Sequence, residues 1–180
     1  AYWRSWRVTD VPGSVAGEPA GFSAIAIECV DGGLVDGFVC RNIRINGGCM
    51  LPVFIRADRR MNRTTGARRG SYDVLRNVLI ENVSGHVLSA VPSIVSGLPD
   101  FRVQNVTFRN VHLISRGIGS YEDLHETTPI EIANRTPLAG MFCQALPAHG
   151  LWARHVDNLK LENSTFSLDT REAVVFEDVK

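Results

Sequence analysis

The chain is short of the features that place a sequence in a specialised class. It has four cysteines, Cys29, Cys40, Cys49 and Cys143, in 180 residues. None forms a CxxC pair and no histidine lies at zinc-like spacing from them, which argues against a metal site. Buried small hydrophobes are the plainer reading of these cysteines, and a disulfide among the first three is the alternative. No charge predominates, because Lys+Arg and Asp+Glu both number 19. That balance gives no basic face for nucleic acid and nothing to draw the chain to an anionic membrane surface. No window reaches the roughly 18 uninterrupted apolar residues of a membrane helix. Long amphipathic helices are missing too. Residues 133–145 form the one short candidate, and Pro137 and Gly140 interrupt it. The first residues, Ala1-Tyr2-Trp3-Arg4, include neither an initiator Met nor an apolar leader. That suits a mature, processed or excised chain.

What the chain does have is a repeat. Arg76-Asn77-Val78-Leu79-Ile80-Glu81-Asn82-Val83, Gln104-Asn105-Val106-Thr107-Phe108-Arg109-Asn110-Val111 and Asp157-Asn158-Leu159-Lys160-Leu161-Glu162-Asn163-Ser164 share one pattern. It reads polar, Asn, apolar, polar, apolar, polar, Asn, then a small or β-branched residue. Arg41-Asn42-Ile43-Arg44-Ile45-Asn46 is a looser copy. Apolar residues alternate with period two, the signature of a strand. Weaker strands are expected between the copies, at Ala24–Cys29, Val53–Arg56, Ile130–Ile132, Leu151–Ala153 and Ala173–Phe176. Asn tolerates the left-handed backbone region and bonds locally, so it suits tight corners. Stacked corner Asn residues can also share amide hydrogen bonds, as in cross-β ladders. Gly-rich corners at Asp31-Gly32-Gly33, Asn46-Gly47-Gly48 and Gly117-Ile118-Gly119 agree. Internal repetition of this kind indicates a solenoid. The expected fold is all-β, a right-handed parallel β-helix of several coils, with residues 1–180 forming a single domain. A propeller would show regular blades, and the uneven gaps argue against one. Asn62, Asn82, Asn105, Asn134 and Asn163 each begin a glycosylation-type triplet, but three of them fall inside the repeat, where Asn has another role.

The segments between the repeats carry a resemblance. In order they are Ala24-Ile25-Ala26-Ile27-Glu28-Cys29-Val30-Asp31-Gly32-Gly33, Leu51-Pro52-Val53-Phe54-Ile55-Arg56-Ala57-Asp58-Arg59-Arg60, Val91-Pro92-Ser93-Ile94-Val95-Ser96-Gly97-Leu98-Pro99, Leu146-Pro147-Ala148-His149-Gly150-Leu151-Trp152-Ala153-Arg154-His155-Val156 and Arg171-Glu172-Ala173-Val174-Val175-Phe176-Glu177-Asp178-Val179. Together they resemble the C-terminal part of bacterial polygalacturonase-like proteins, glycoside hydrolase family 28, from about Gly21 onward. The resemblance implies a right-handed parallel β-helix and pectin-type substrates hydrolysed with inversion. It also implies a longer parent protein, secreted or periplasmic. Inversion needs one carboxylic acid and one carboxylate set roughly 6.5–9.5 Å apart. The family's Asn-Thr-Asp, Asp-Asp and Gly-His-Gly motifs do not occur here, and Ala26-Ile27-Glu28 stands where its Arg-Ile-Lys would fall. The expectation is therefore a part or shortened relative of such a hydrolase, without its usual catalytic aspartates. A non-catalytic carbohydrate-binding or structural β-helix is the alternative.

Several residues are candidates for a site. Glu28 and Asp31, close to where the resemblance places the family's substrate-binding cations, are the candidate catalytic acid pair if the chain retains hydrolytic chemistry, although Asp31 before two glycines is more simply a turn residue. Arg56, Arg59 and Arg60, followed by Arg63, Arg68 and Arg69, could fork onto the carboxylates of a galacturonate-containing acidic polysaccharide. A solvated arginine loop is the plainer reading. His149, Arg154 and His155 could contact sugar hydroxyls, or could be packed strand residues. Glu122, Asp123, His125 and Glu126 have hard-cation chemistry, but a solvated loop explains them more simply. No metal or cofactor is expected. Trp3, Trp6 and Trp152 could stack on sugars. Trp3 and Trp6 could instead cover a solenoid end, which left bare would self-associate.

Overall fold

The computed structural model describes residues 6–7, 19–30, 32–47, 49–58, 73–87, 92–115, 150–167 and 174–180. Among them every regular element is a strand: β1 (Trp6–Arg7), β2 (Pro19–Cys29), β3 (Gly33–Asp36), β4 (Val39–Asn46), β5 (Cys49–Ala57), β6 (Asp73–Val87), β7 (Ser93–Ser96), β8 (Val103–Ser115), β9 (Leu151–Glu162), β10 (Thr165–Ser167) and β11 (Val174–Val179). The expected strands at 24–29, 53–56 and 151–153 fall in β2, β5 and β9, and of the one expected at 173–176 the described residues 174–176 fall in β11. The one expected at 130–132 and the helix candidate at 133–145 lie outside the described residues.

The strands form one sheet in the order β1-β2-β5-β7-β9-β8-β6-β3, with β4 on β6, β10 on β8 and β11 on β9. β1 and β2 pair antiparallel, and the other strand pairs are parallel. The sequence copies lie side by side in equivalent register. Val78 faces Val106, which faces Leu159, and Ile43 faces Val83, which faces Val111.

The long strands turn at their asparagines. Among the described residues, Asn42, Asn77, Asn82, Asn105, Asn110, Asn158 and Asn163 have φ between +46° and +60°, as do His155 and Asp178. This left-handed region is costly for most L-residues and is most accessible to Gly, Asn and Asp. The corner asparagines then bond one another. In one row Asn163 Nδ2 donates to Asn110 Oδ1 at 2.8 Å, Asn110 to Asn82 at 3.2 Å, and Asn82 to Asn42 at 3.2 Å. In the other, Asn158 donates to Asn105 at 2.9 Å, Asn105 to Asn77 at 2.8 Å, and Asn77 to Asp36 at 2.6 Å. The side chains of Asn82, Asn105 and Asn163, three of the glycosylation-type positions, are thus engaged in these rows.

The core lies inside the curl of the sheet. In β2 the apolar Ile25, Ile27 and Cys29 are buried, while Ala24, Ala26 and Glu28 are exposed, the alternation of a strand with one covered face. Ile27, Ile55, Val95 and Ala153 form one inward row across β2, β5, β7 and β9. They share a single cluster with Ile80 of β6, Phe108 of β8 and Phe166 of β10. Phe108 and Phe166 meet edge to face, with centroids 5.6 Å apart and rings at 84°, a favoured aromatic geometry. Burying each such side chain contributes roughly 1.5–3 kcal/mol. Gly85, at φ +135°, lets β4 and β6 close up, because a Cβ there would lie 1.9 Å from the Ile45 carbonyl oxygen. The disulfide considered among the first three cysteines is not formed: Cys29, Cys40 and Cys49 are free. Burial pushes the Cys49 thiol up to about 11, which leaves it protonated and unreactive at neutral pH.

Asn110→Ala removes two ladder hydrogen bonds and places a Cβ-bearing residue without local bonding at a positive φ. The expected loss in urea unfolding is about 2–3 kcal/mol, and Asn110→Gly, which keeps the corner but not the bonds, loses about 1 kcal/mol less.

Candidate functional site

Parallel register gathers candidates that are far apart in sequence. Glu28 faces Arg56, Arg56 faces Ser96, Ser96 faces Arg154, and Arg154 faces Glu177. These five residues make one row across β2, β5, β7, β9 and β11. They alternate with the inward Ile27, Ile55, Val95 and Ala153, so they point away from the core.

Members of the row differ in access. Glu28 is exposed. Arg56 is buried and ion-paired with Asp58, also buried, two residues along the chain. Its guanidinium is therefore held in the protein rather than presented to solvent, and truncating either partner would strand a buried charge. Arg154 is one-fifth exposed, with Nε 3.5 Å from Glu177 Oε2. The row beside it is apolar. Phe54 faces Ile94 and Ile94 faces Trp152, and all three are buried despite pointing outward. Burial removes Trp152 from the set of sugar-stacking platforms. Trp3 lies outside the described residues, as do Asp31, Arg59, Arg60, Arg63, Arg68, Arg69, His149 and the acidic cluster at 122–126.

His155 stands at the corner that follows Arg154. Its Nδ1 lies 2.8 Å from Asp178 Oδ2, and its side chain is buried. Arg102, which the sequence reading did not single out, binds the same centre. It donates through Nε to Asp157 Oδ1 at 2.6 Å, through Nη1 to Asp178 Oδ2, and through Nη2 to the carbonyls of Val156 at 3.2 Å and Asp178 at 2.6 Å. The Asp178 carboxyl is held down at about 2, first by the Arg102 hydrogen bond and then by His155. The arrangement fastens β11 to the corner of β9. Gly97 fits against that corner, since a Cβ there would lie 2.6 Å from the His155 carbonyl oxygen. The sequence signal for this centre is the triplet pattern. Arg154-His155-Val156 and Glu177-Asp178-Val179 match Arg76-Asn77-Val78, with His and Asp in the Asn position.

Chemically the row offers hydrogen-bond donors and charge of both signs. Among the described residues there is no group of three or more His, Cys, Asp or Glu placed to hold a metal ion. Compared with family models, with curated proteins and with solved structures, the chain gives no match.

A carboxyl with a depressed value in the folded state stabilises the fold above its unfolded value, and that contribution is lost as the pH falls through the folded value. Asp178 should therefore contribute fully above about pH 4 and lose its contribution as the pH falls toward about 2. In urea titrations at several pH values, the stability difference between the wild type and Asp178→Asn should be constant above pH 4 and shrink to nothing near pH 2. A pH-independent difference would assign the residue a purely steric role.

Proposed function

We propose that the chain is a part or shortened relative of a polygalacturonase-like glycoside hydrolase, built as a right-handed parallel β-helix. In this reading it supplies scaffold and one side of a groove for acidic, galacturonate-containing polysaccharide. It does not supply the acid and base. The observation that carries the reading is the in-register outward row Glu28, Arg56, Ser96, Arg154 and Glu177. Neighbouring strands repeat at about 4.8 Å, so the exposed Glu28 and the half-buried Ser96, Arg154 and Glu177 lie on one line across the strands, as an extended sugar chain requires, with buried Arg56 held within the row by Asp58.

The ordered segments that resemble the family supply the substrate class. Arg154, partly exposed, is the member of the row placed to meet a sugar carboxylate, and Glu28 is placed to meet hydroxyls. Arg56 is tied to Asp58 and buried, so it is not assigned a sugar contact. The sequence lacks an Asp-Asp or Asn-Thr-Asp motif, so no pair of carboxylates is assigned the inverting chemistry.

The second reading, a non-catalytic carbohydrate-binding module, shares the row and differs only in the parent protein. Affinity electrophoresis in gels containing polygalacturonate or rhamnogalacturonan tests both, alongside a reducing-end assay. The expected result is retardation without release of reducing ends, with affinity reduced about tenfold or more by Arg154→Ala. An Arg–carboxylate hydrogen bond of about 1.5–3 kcal/mol would have that effect. No retardation on either polymer would overturn both readings and leave a structural β-helix. Release of reducing ends would show that the acid and base lie within this chain.

A further inference from the structure

Past the corners at Asn42, Asn82, Asn110 and Asn163 the sheet presents a second outward surface, separate from the row that holds Arg154. The ends of β4, β6 and β8 build it together with β10. Two register rows cross these strands. In one, Arg44 faces Ser84, Ser84 faces His112 and His112 faces Thr165. In the other, Asn46 faces His86, His86 faces Ile114 and Ile114 faces Ser167. Between them Ile45, Leu113 and Phe166 point inward and are buried, so alternation turns the two flanking rows to solvent. Arg44, Ser84, His112 and Thr165 are exposed, and His86 is half-buried. Side chains stand roughly perpendicular to their sheet. Strands added beside β4 or β10 would therefore leave this surface open.

Its ionisable groups are all of one kind. Before the corners, cations are matched: Arg109 donates to Glu81 and Glu162, and Arg76 donates to Asp36. After them, neither outward row contains Asp or Glu. The titratable groups are Arg44 on β4, His86 on β6 and His112 on β8, while β10 adds the hydroxyls of Thr165 and Ser167. Among the described residues none of the three bases forms an ion pair. They zigzag across adjacent strands, each one strand and two residues from the next, a backbone step of about 8 Å. Thr165 Oγ1 lies 2.9 Å from His112 Nδ1. That contact holds the ring and leaves Nε2 on an exposed side chain.

We propose that this surface binds an acidic polysaccharide, and that protonation of His86 and His112 tightens the binding. The ligand class rests on the reading given under Proposed function, but the surface is distinct from the Arg154 row. Arg44 offers a fixed positive charge to a sugar carboxylate. Histidine is the side chain that gains charge as the pH falls from about 8 to 5, so two further cations join Arg44 as the medium acidifies. Carboxyl groups ordinarily stay ionised down to about pH 5. Attraction therefore rises as the pH falls through that range. Asn46 and the hydroxyls of Ser84, Thr165 and Ser167 supply hydrogen-bond partners for sugar hydroxyls. Ile114, 52% exposed, offers an apolar contact to ring C–H groups. Nucleic acid fits less well, because the rows contain no Phe, Tyr or Trp for bases to stack on.

The probe is a fluorescently labelled galacturonate oligomer, titrated against the whole chain by anisotropy at about pH 5.5 and about pH 7.5 and one ionic strength. The wild type should bind about fivefold tighter at the lower pH. The double variant His86→Gln/His112→Gln, uncharged at both, should bind at the lower pH only as well as the wild type binds at the higher. His86→Lys/His112→Lys, charged at both, should bind tightly at both. Far-UV circular dichroism checks that each variant keeps the fold. Arg154→Ala, in the other row, should weaken binding at both pH values and keep the pH response. A pH response that survives in the Gln pair would overturn the proposal, as would the same response with a labelled neutral galactan. Binding that is independent of pH would also overturn it; if Arg154→Ala still lowers that binding, the reading of the Arg154 row stands and only this surface is lost. No binding of the acidic oligomer at either pH overturns both.

Discussion

A strand can turn a corner inside a parallel sheet only where a residue accepts a left-handed φ, and much of this structure follows from how that demand is met. Seven of the nine described non-glycine residues at positive φ are asparagines. Asn is suited twice over: its backbone tolerates the conformation, and its side chain carries both a donor and an acceptor. Once strands stack in register, the corner that one strand needs lies beside the corner the next strand needs. The amides then bond in rows. Each bond contributes little alone, but together they fix register, because a slip by one residue would break every bond in both rows and turn apolar side chains out of the core.

Fixed register is what gives the outer surface its organisation. Arg109 lies between Glu81 and Glu162 because the corners on either side set all three strands in step. The same stepping brings Glu28, Arg56, Ser96, Arg154 and Glu177 into line from five separate strands. At the corners where His155 and Asp178 stand in the place of Asn, an ionic centre around Arg102 does what the amide rows do elsewhere. That substitution trades neutral hydrogen bonds for charge-assisted ones, which are stronger but depend on pH.

The all-β class, the strand segments and the asparagine corners were legible in the sequence, because period-two alternation and paired Asn residues are local signals. The amide rows were legible from the recurrence of those corners. Less legible was which face of β5 is buried. Phe54 and Arg56 occupy outward positions, where alternation predicts exposure, and both are buried. Alternation reports only that a strand has two faces, and whether the second is covered depends on the rest of the chain. The His155 and Asp178 corners fall outside the Asn pattern that marks the others. Their local signal is the polar–X–Val triplet they share with Arg76-Asn77-Val78. Arg102 carries no local signal, since its partners Asp157 and Asp178 are 55 and 76 residues away.

The account depends most on the amide rows, and these can be observed directly. In solution NMR, the side-chain amide protons of Asn105 and Asn110, each between two ladder partners, should exchange slowly with solvent. They should also show cross-peaks to the side-chain amides of Asn77 or Asn158 and of Asn82 or Asn163, respectively. Rapid exchange of all the corner amides, with no contacts between successive asparagines, would contradict the account.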